Sequence, residues 1–297
     1  MKILITGASG FVGTNLLDYL KPSNEVDSLS IRYSPNQELN LKVDAIIHLA
    51  GKAHDLKKVS NPQDYYDSNF ELTKQLFDAF LQSEASVFVF MSTVKAVADV
   101  VNETLTEMEV CNPITHYGIA KQQAENYLMS QELPKGKRVF ILRPCMIHGH
   151  GNKGNLNVLF KLVSIGLPWP LGAFDNQRSF LSVENLCFVI QELLVQETIP
   201  SGIYNVADDE SLSTNELIEL IAQSQNKKAR ILSISPQVIQ GIAKIGDVLH
   251  LPLNSARLKT LTESYVVSNA KIVNTIGKSL PENSKTGLLK TFWSFAD

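Results

Sequence analysis

Residues 2–13 read Lys-Ile-Leu-Ile-Thr-Gly-Ala-Ser-Gly-Phe-Val-Gly, and the fold follows from this stretch. Lys2–Thr6 is a short apolar run of strand length that stops at Gly7. Phe11–Leu20 then sets Val12, Leu16 and Leu20 on one helical face. Strand, tight turn and helix therefore follow one another at once. Gly7 permits the turn. Gly10 has no Cβ, so the backbone can approach a pyrophosphate, and Gly13 lets the helix pack closely on the strand. The first helical turn carries N–H groups without intrahelical partners. Gly7, Gly10, Phe11, Val12 and Gly13 are thus the candidate phosphate-facing residues. Taken without its neighbours, the same stretch also reads as an ordinary βα turn with no ligand.

Outward from this turn the pattern alternates. Short apolar runs recur at Val26–Arg32, Ala45–Ala50, Val87–Met91 and Arg138–Leu142. Most are apolar throughout, as strands buried on both faces of a parallel sheet are. Helical stripes lie between them: Leu72, Leu76 and Phe80 with Phe77 and Leu81, then a helix holding Tyr117 to Met129. The prediction is an α/β fold with a doubly wound parallel sheet, Rossmann-like in form. After residue 145 helices are predicted at Leu156–Ile165 and Val183–Val195, and a strand at Ile203–Val206. Ser213 and Glu216 form a capping box before Leu217–Ala222, and Leu288, Leu289, Phe292 and Trp293 suggest a packed final helix. The expected division is a dinucleotide-binding domain over 1–147, with returning segments near 179–208, and a smaller mixed α/β substrate lobe over 148–178 and 209–297. Twelve residues separate Arg32 from Ala45. A crossover helix alone takes about 10–12, so a loop is expected in its place.

The chain has 297 residues, 44% hydrophobic and 19% charged, which is an ordinary globular composition. A net charge of −3 disfavours a broad basic face for nucleic acid. Cys111, Cys145 and Cys187 are far apart and odd in number, so no disulfide framework is expected and a reducing compartment fits. His48, His54, His116, His148, His150 and His250 show no metal-ligand cluster, and no metal is expected. The N-terminal apolar run is too short for a secretory core of about 7–15 residues or a span of about 20. A soluble cytoplasmic protein without a membrane partner is the expectation.

Further motifs follow in order: His48-Leu49-Ala50-Gly51 after the third apolar run, Asn69, Ser92-Thr93-Val94-Lys95, Tyr117-Gly-Ile-Ala-Lys121, Arg143-Pro144, Pro170-Leu171-Gly172 and Arg178-Ser179-Phe180-Leu181-Ser182-Val183. With Gly7-x-x-Gly10-x-x-Gly13, these resemble the extended short-chain dehydrogenases/reductases over essentially the whole chain. The likeness is to their nucleoside-diphosphate-sugar epimerase/dehydratase group. The resemblance implies a nicotinamide dinucleotide held by the glycine turn with Leu49, Ala50, Gly51, Asn69, Tyr117 and Lys121. It implies a nucleoside-diphosphate sugar, with Asn155 and Arg178 toward its diphosphate and Arg257 as a weaker candidate. The family often dimerises through the helices that would hold Leu72–Phe80 and Tyr117–Met129, so a homodimer is a further implication. For Asn69 a helix-start cap is the competing reading, and for Arg257 surface solvation.

Tyr117 and Lys121 are spaced i, i+4 and share a helix face. The chemistry wants a base that takes a hydroxyl proton as hydride leaves the same carbon. Bringing a tyrosine from about 10 to about 7 needs roughly 4 kcal/mol of phenolate stabilisation. One ammonium about 5 Å away supplies roughly 3 kcal/mol at an effective dielectric near 20, and an oxidised nicotinamide adds a second positive charge. Thr93 is expected to hydrogen-bond the substrate hydroxyl. Ser92 competes, but the family pattern counts back from the position of Val97 and selects Thr93; here Ala96-Val97-Ala98 replaces the usual Val-Tyr-Gly.

The adenosine end reads Ser30-Ile31-Arg32-Tyr33 without an acid, so Arg32 is a candidate for a 2′-phosphate, and NADP or dual use is expected alongside NAD. Val94 and Lys95 stand where a dehydratase carries acids. The expected activity is 4-epimerisation of a nucleotide sugar, with an NADPH-dependent 4-ketoreductase as the alternative and a non-catalytic dinucleotide sensor as the alternative of another class.

Overall fold

The computed structural model describes residues 1–53, 61–249 and 254–296. Six parallel strands make the main sheet: β1 (Lys2–Thr6), β2 (Glu25–Leu29), β3 (Ala45–His48), β4 (Val87–Met91), β5 (Arg138–Pro144) and, after two short strands described below, β8 (Gly202–Val206). Their order is β2-β1-β3-β4-β5-β8. Alternation along each strand feeds two cores. Ile3, Ile5, Ala45, Ile47, Val89 and Phe140 pack under α1 (Phe11–Leu20), α6 (Val183–Val195) and α10 (Ala270–Ile276). Leu4, Ile46, Phe88, Phe90, Val139 and Ile141 pack under α3 (Leu72–Gln82) and α4 (His116–Ser130). Each such buried Ile, Leu or Phe side chain contributes roughly 1.5–3 kcal/mol. This is the doubly wound parallel sheet expected from the continuous apolar runs.

Four element boundaries differ from the sequence expectation. The second strand runs Glu25–Leu29 rather than Val26–Arg32, and it is largely exposed. It is the sheet edge, with β1 as its one neighbour, and the ladder ends where Thr6 meets Leu29. The third strand stops at His48 instead of Ala50, where its ladder with β1 ends at Thr6 and its ladder with β4 ends at Phe90. The fifth extends past Leu142 to Pro144, because β8 continues beside it to Val206. Finally, the helical run begins upstream of the apolar stripe that α3 carries: α2 (Gln63–Tyr66) and a wide π turn at Asp67–Glu71 lead straight into Leu72.

No helix or strand occupies 30–44, so the connection from β2 to β3, which passes to the other side of β1, is a loop. Gln75 on α3 ties it down, donating from Nε2 to the carbonyls of Ser34 (2.9 Å) and Gln37 (3.0 Å). Between loop and helix lies a cleft of about 780 Å³ lined by Tyr33, Gln37, Leu39, Lys74, Gln75 and Asp78 among others.

The strands β6 (Met146–His148) and β7 (Phe180–Ser182) pair in a small parallel sheet of their own. Around them α5 (Asn155–Ser164), α7 (Thr214–Ser224), α8 (Pro236–Leu249), α9 (Ser255–Thr262) and α11 (Ser284–Trp293) share a third core of Leu156, Phe160, Trp169, Leu217, Ile221 and Phe292. The capping box forms as expected: the Glu216 N–H donates to Ser213 Oγ (3.1 Å), and the Ser213 N–H donates to Glu216 Oε2 (2.9 Å).

Candidate active site

The glycine turn is shaped by what cannot fit there. Gly7 has φ +72°, and a Cβ on it would stand 2.7 Å from the Ala50 nitrogen. A Cβ on Gly13 would stand 2.4 Å from the Gly7 carbonyl oxygen. Gly10 is different: its added Cβ meets only the Gly7 oxygen, at 3.3 Å, so its hydrogens face open space above the turn. Helix α1 starts from Gly10 with no side-chain cap and no acid in its first turn. The N–H groups of Phe11, Val12 and Gly13 are therefore left for an external acceptor, at the positive end of the helix dipole. This cradle fits a dinucleotide pyrophosphate.

Next to it runs a relay of hydrogen bonds through His48. The Thr73 hydroxyl donates to the Asn69 carbonyl (2.8 Å), so its oxygen accepts from His48 Nε2 (3.0 Å). His48 Nδ1 then accepts from the Thr6 hydroxyl (2.7 Å), whose oxygen accepts from the Ala50 N–H (3.3 Å). Burial, with Lys121 adding, lowers the His48 pKa to about 3, so the imidazole stays neutral. Asn69 is itself fully buried. Its Oδ1 accepts from the Lys52 N–H (3.2 Å), and its Nδ2 donates to the carbonyls of Lys52 (3.1 Å) and Tyr65 (3.0 Å). Asn69 thus pins the Ala50–Lys52 segment from inside a wide helical turn and is not a helix-start cap. Gly51 completes the contact: a Cβ there would lie 2.5 Å from Asn69 Oδ1 and 3.3 Å from Lys121 Nζ.

Thr93, Tyr117 and Lys121 come together at the carboxyl end of β4. Thr93 caps a short 3₁₀ turn at Val94–Ala96, its Oγ1 accepting from the Lys95 N–H (3.2 Å), and its side chain lies near enough to the Tyr117 phenol to pull its pKa down. Lys121 is buried beneath them, donating to the Met91 carbonyl (2.7 Å) with its ammonium 4.5 Å from the Phe90 ring centroid. Ser92 is buried and donates to Glu125. The electrostatics depart from expectation. Burial pushes Tyr117 up to about 12 against the downward pull of the neighbouring Thr93 hydroxyl. Burial likewise brings Lys121 down to about 7, with the Glu125 carboxylate opposing. An ammonium near half-protonation cannot offset the desolvation of the phenolate, so the protein alone does not bring Tyr117 toward 7.

Behind Lys121 sits an ion pair that the Arg143-Pro144 motif does not by itself show. Arg143 on β5 grips Glu125 on α4 through Nε (3.0 and 3.1 Å) and Nη2 (2.5 Å), with side chains 4% and 2% exposed. Glu125 continues the face of Tyr117 and Lys121 at the next i+4 step, a spacing that was available as a signal.

On the other side, half-buried Arg178 donates from Nη1 to the Thr260 carbonyl (2.7 Å). Its neighbour Lys95 was not singled out as a binding residue. Lys95 Nζ donates to the Asp99 carbonyl (2.7 Å) and lies 4.7 Å from the Tyr265 ring centroid. Its pKa is lowered by burial, with Asp99 opposing and Arg178 adding. Asn155 opens α5, whose N-terminus also lacks a side-chain cap. Arg257 is exposed on α9, and Arg32 is exposed on the 30–44 loop, beyond the end of β2. Trp169 is a buried anchor, and His148 is buried against Thr291 (2.8 Å), so neither is a free ring in the site. His54 and His250 lie outside the described residues.

A family model described as the NAD dependent epimerase/dehydratase family matches residues 3–207. The chain belongs to the NAD-dependent epimerase/dehydratase family. Within the family, a UDP-glucose 4-epimerase of Vibrio cholerae is 28% identical over 318 residues, covering 99% of this chain and 95% of that protein. Among solved structures, the UDP-N-acetylglucosamine 4-epimerase from Bacillus cereus superposes with a TM-score of 0.76 at 22% identity, covering all of both chains. RMD from Pseudomonas aeruginosa complexed with NADPH superposes with a TM-score of 0.73 at 22% identity over 99% of each. At these identities the two structures speak for the fold.

Proposed function

We propose that this protein is an NAD(P)-dependent nucleotide-sugar 4-epimerase. The observation that carries the reading is the meeting of Thr93 and the Tyr117 phenol above buried Lys121, at the sheet edge that also holds the glycine cradle. A nicotinamide dinucleotide, when bound, supplies hydride exchange and a positive charge. Gly7, Gly10, Phe11, Val12 and Gly13 hold its pyrophosphate, and Leu49–Gly51, pinned by Asn69, border its ribose side. Thr93 hydrogen-bonds the sugar 4-hydroxyl and aligns it with Tyr117 Oη. Tyr117 takes that proton in one half of the cycle and returns it in the other. Lys121, held in place by Met91 and Glu125, lowers the cost of the phenolate once further positive charge arrives. Arg178, with Lys95 and Asn155, faces the diphosphate.

The Vibrio cholerae relative favours epimerisation, and Val94 and Lys95 supply no acid for dehydration. A uridine-diphosphate hexose incubated with the purified protein and no added cofactor should yield its C4 epimer by NMR. The second reading, an NADPH-dependent 4-ketoreductase, draws on Arg32 and the loop at 30–44. It replaces the first if no epimer forms and NADPH is consumed stoichiometrically with a 4-ketosugar.

A further inference from the structure

Helix α8 carries more apolar surface than its lobe covers. Ile239, Ala243 and Gly246 are its buried positions. At about 100° per residue, Val238, Ile242, Ile245 and Leu249 fall within about 60° of one another on the adjoining arc. They are 53%, 45%, 56% and 62% exposed, and Val248 beside them is 76% exposed. The apolar surface continues at the turn after α5, where Ile165 and Leu167 are 71% and 53% exposed. That turn is bonded to the segment leading into α8. Lys227 Nζ donates to the Ser164 carbonyl (2.9 Å), the Trp169 N–H to the Arg230 carbonyl (2.7 Å) and the Leu232 N–H to the Trp169 carbonyl (2.8 Å).

Charge collects in the same two stretches. Residues 153–172 and 225–263 hold eight Lys and Arg against two acids, Asp247 and Glu263, for a net of +6. The whole chain is −3, so everything else sums to −9. Glu263 pairs with Lys259 (3.3 Å). Asp247 is already engaged, accepting from the Ser255 N–H (2.9 Å) and hydroxyl (2.5 Å). Aliphatic side chains beside unbalanced cations suit a partner that is both apolar and anionic. A second copy of the same face would set like charge against like.

We propose that this face of the second lobe docks peripherally on an anionic lipid bilayer, with α8 lying in the interface. Its aliphatic arc then sits at the headgroup–acyl boundary, and Lys227, Lys228, Arg230 and Lys244 meet the headgroups. Among the described residues no helix is long and apolar enough to cross a membrane, so the contact is one of surface binding. The sequence expectation of no membrane partner weighed spans alone; which arc of α8 stays uncovered is visible only after packing. The proposal is independent of the reaction assigned above.

The test is flotation of the full-length protein with phosphatidylcholine vesicles, alone or mixed with phosphatidylglycerol. Wild type should float with the mixed vesicles at low salt, less at high salt, and little with phosphatidylcholine alone. Lys227→Gln and Lys228→Gln should each lower partitioning about fivefold. Ile245→Gln with Val248→Gln should lower it at least about tenfold, with circular dichroism and dinucleotide binding unchanged. The proposal is overturned if wild type stays unbound to mixed vesicles at low salt, or if these variants float as wild type does. It is equally overturned if the apolar pair instead abolishes a concentration-dependent dimer seen without lipid.

Discussion

Arg143 and Glu125 form a bidentate ion pair in the closed space behind Lys121, joining strand β5 to helix α4. Removing one partner strands the other as an uncompensated buried charge, which costs about 3–5 kcal/mol. Glu125→Gln should therefore lower stability by that order in denaturant titration. It should also move the Lys121 pKa further below about 7, since Glu125 is the group that opposes burial there.

Tyr117→Phe keeps the ring and removes the phenol oxygen beside Thr93. Turnover should fall at least about 10²-fold, the scale of a general acid/base, while dinucleotide binding persists. In the wild type, adding oxidised cofactor should increase the phenolate absorbance band at alkaline pH, because the free protein holds Tyr117 at about 12. Wild-type turnover in the Phe variant would refute the assignment.

Two of the turn glycines should separate by mechanism. Gly13→Ala places a methyl 2.4 Å from the Gly7 oxygen and should cost roughly 1–3 kcal/mol of stability. Gly10→Ala meets only a 3.3 Å contact, so the melting temperature should hold while dinucleotide affinity drops. Thermal shift and fluorescence titration on the same two variants read the two effects apart.

His48 links folding to pH. Its folded pKa is about 3 against an ordinary 6.5. As pH falls through 6.5 the unfolded chain takes up a proton that the folded one refuses. The contribution is complete above 6.5 and is lost progressively toward 3. In that window wild type should lose about 1.4 kcal/mol per pH unit more than His48→Gln does. Parallel stability curves for the two proteins would show that the ring is charged in the fold.

Arg32 stands exposed just after β2, in the stretch Ser30–Tyr33 that carries no acid to meet a ribose 2′-hydroxyl. NADP should bind at least as well as NAD, and Arg32→Ala should weaken NADP selectively. A tenfold or greater preference for NAD that Arg32→Ala leaves unchanged would remove Arg32 from the adenosine site.

Legibility followed burial. Strands sealed on both faces, such as β3 and β4, announce themselves as unbroken apolar runs, and the Gly7–Gly13 turn leaves few conformational options. The edge strand β2 has one neighbour and an exposed face, so its apolar run at Val26–Arg32 did not mark its true end at Leu29. Asn69 carried a helix-start cap as its competing reading because a local pattern does not show that residues 50–52 pass within reach of its amide. The Tyr117 reading summed attractive charge and left out desolvation, which a spacing of i, i+4 does not contain. The uncovered arc of α8 was hidden for a related reason: apolar periodicity marks a face without saying what sits against it.

The pairing of β5 with β8 also sets a timetable for synthesis. Phe140 to Pro144 align with Gly202 to Val206, and α5, β6, β7 and α6 are made in between. A nascent chain that has reached Pro144 holds every other strand of the main sheet, yet it presents an unpaired parallel edge built on Phe140, Ile141 and Leu142. That edge stays open until residues 202–206 clear the ribosome. The interval is when this enzyme is most exposed to edge-to-edge aggregation, so slow translation between residues 145 and 201 should favour inclusion bodies, and a co-translational chaperone should relieve them.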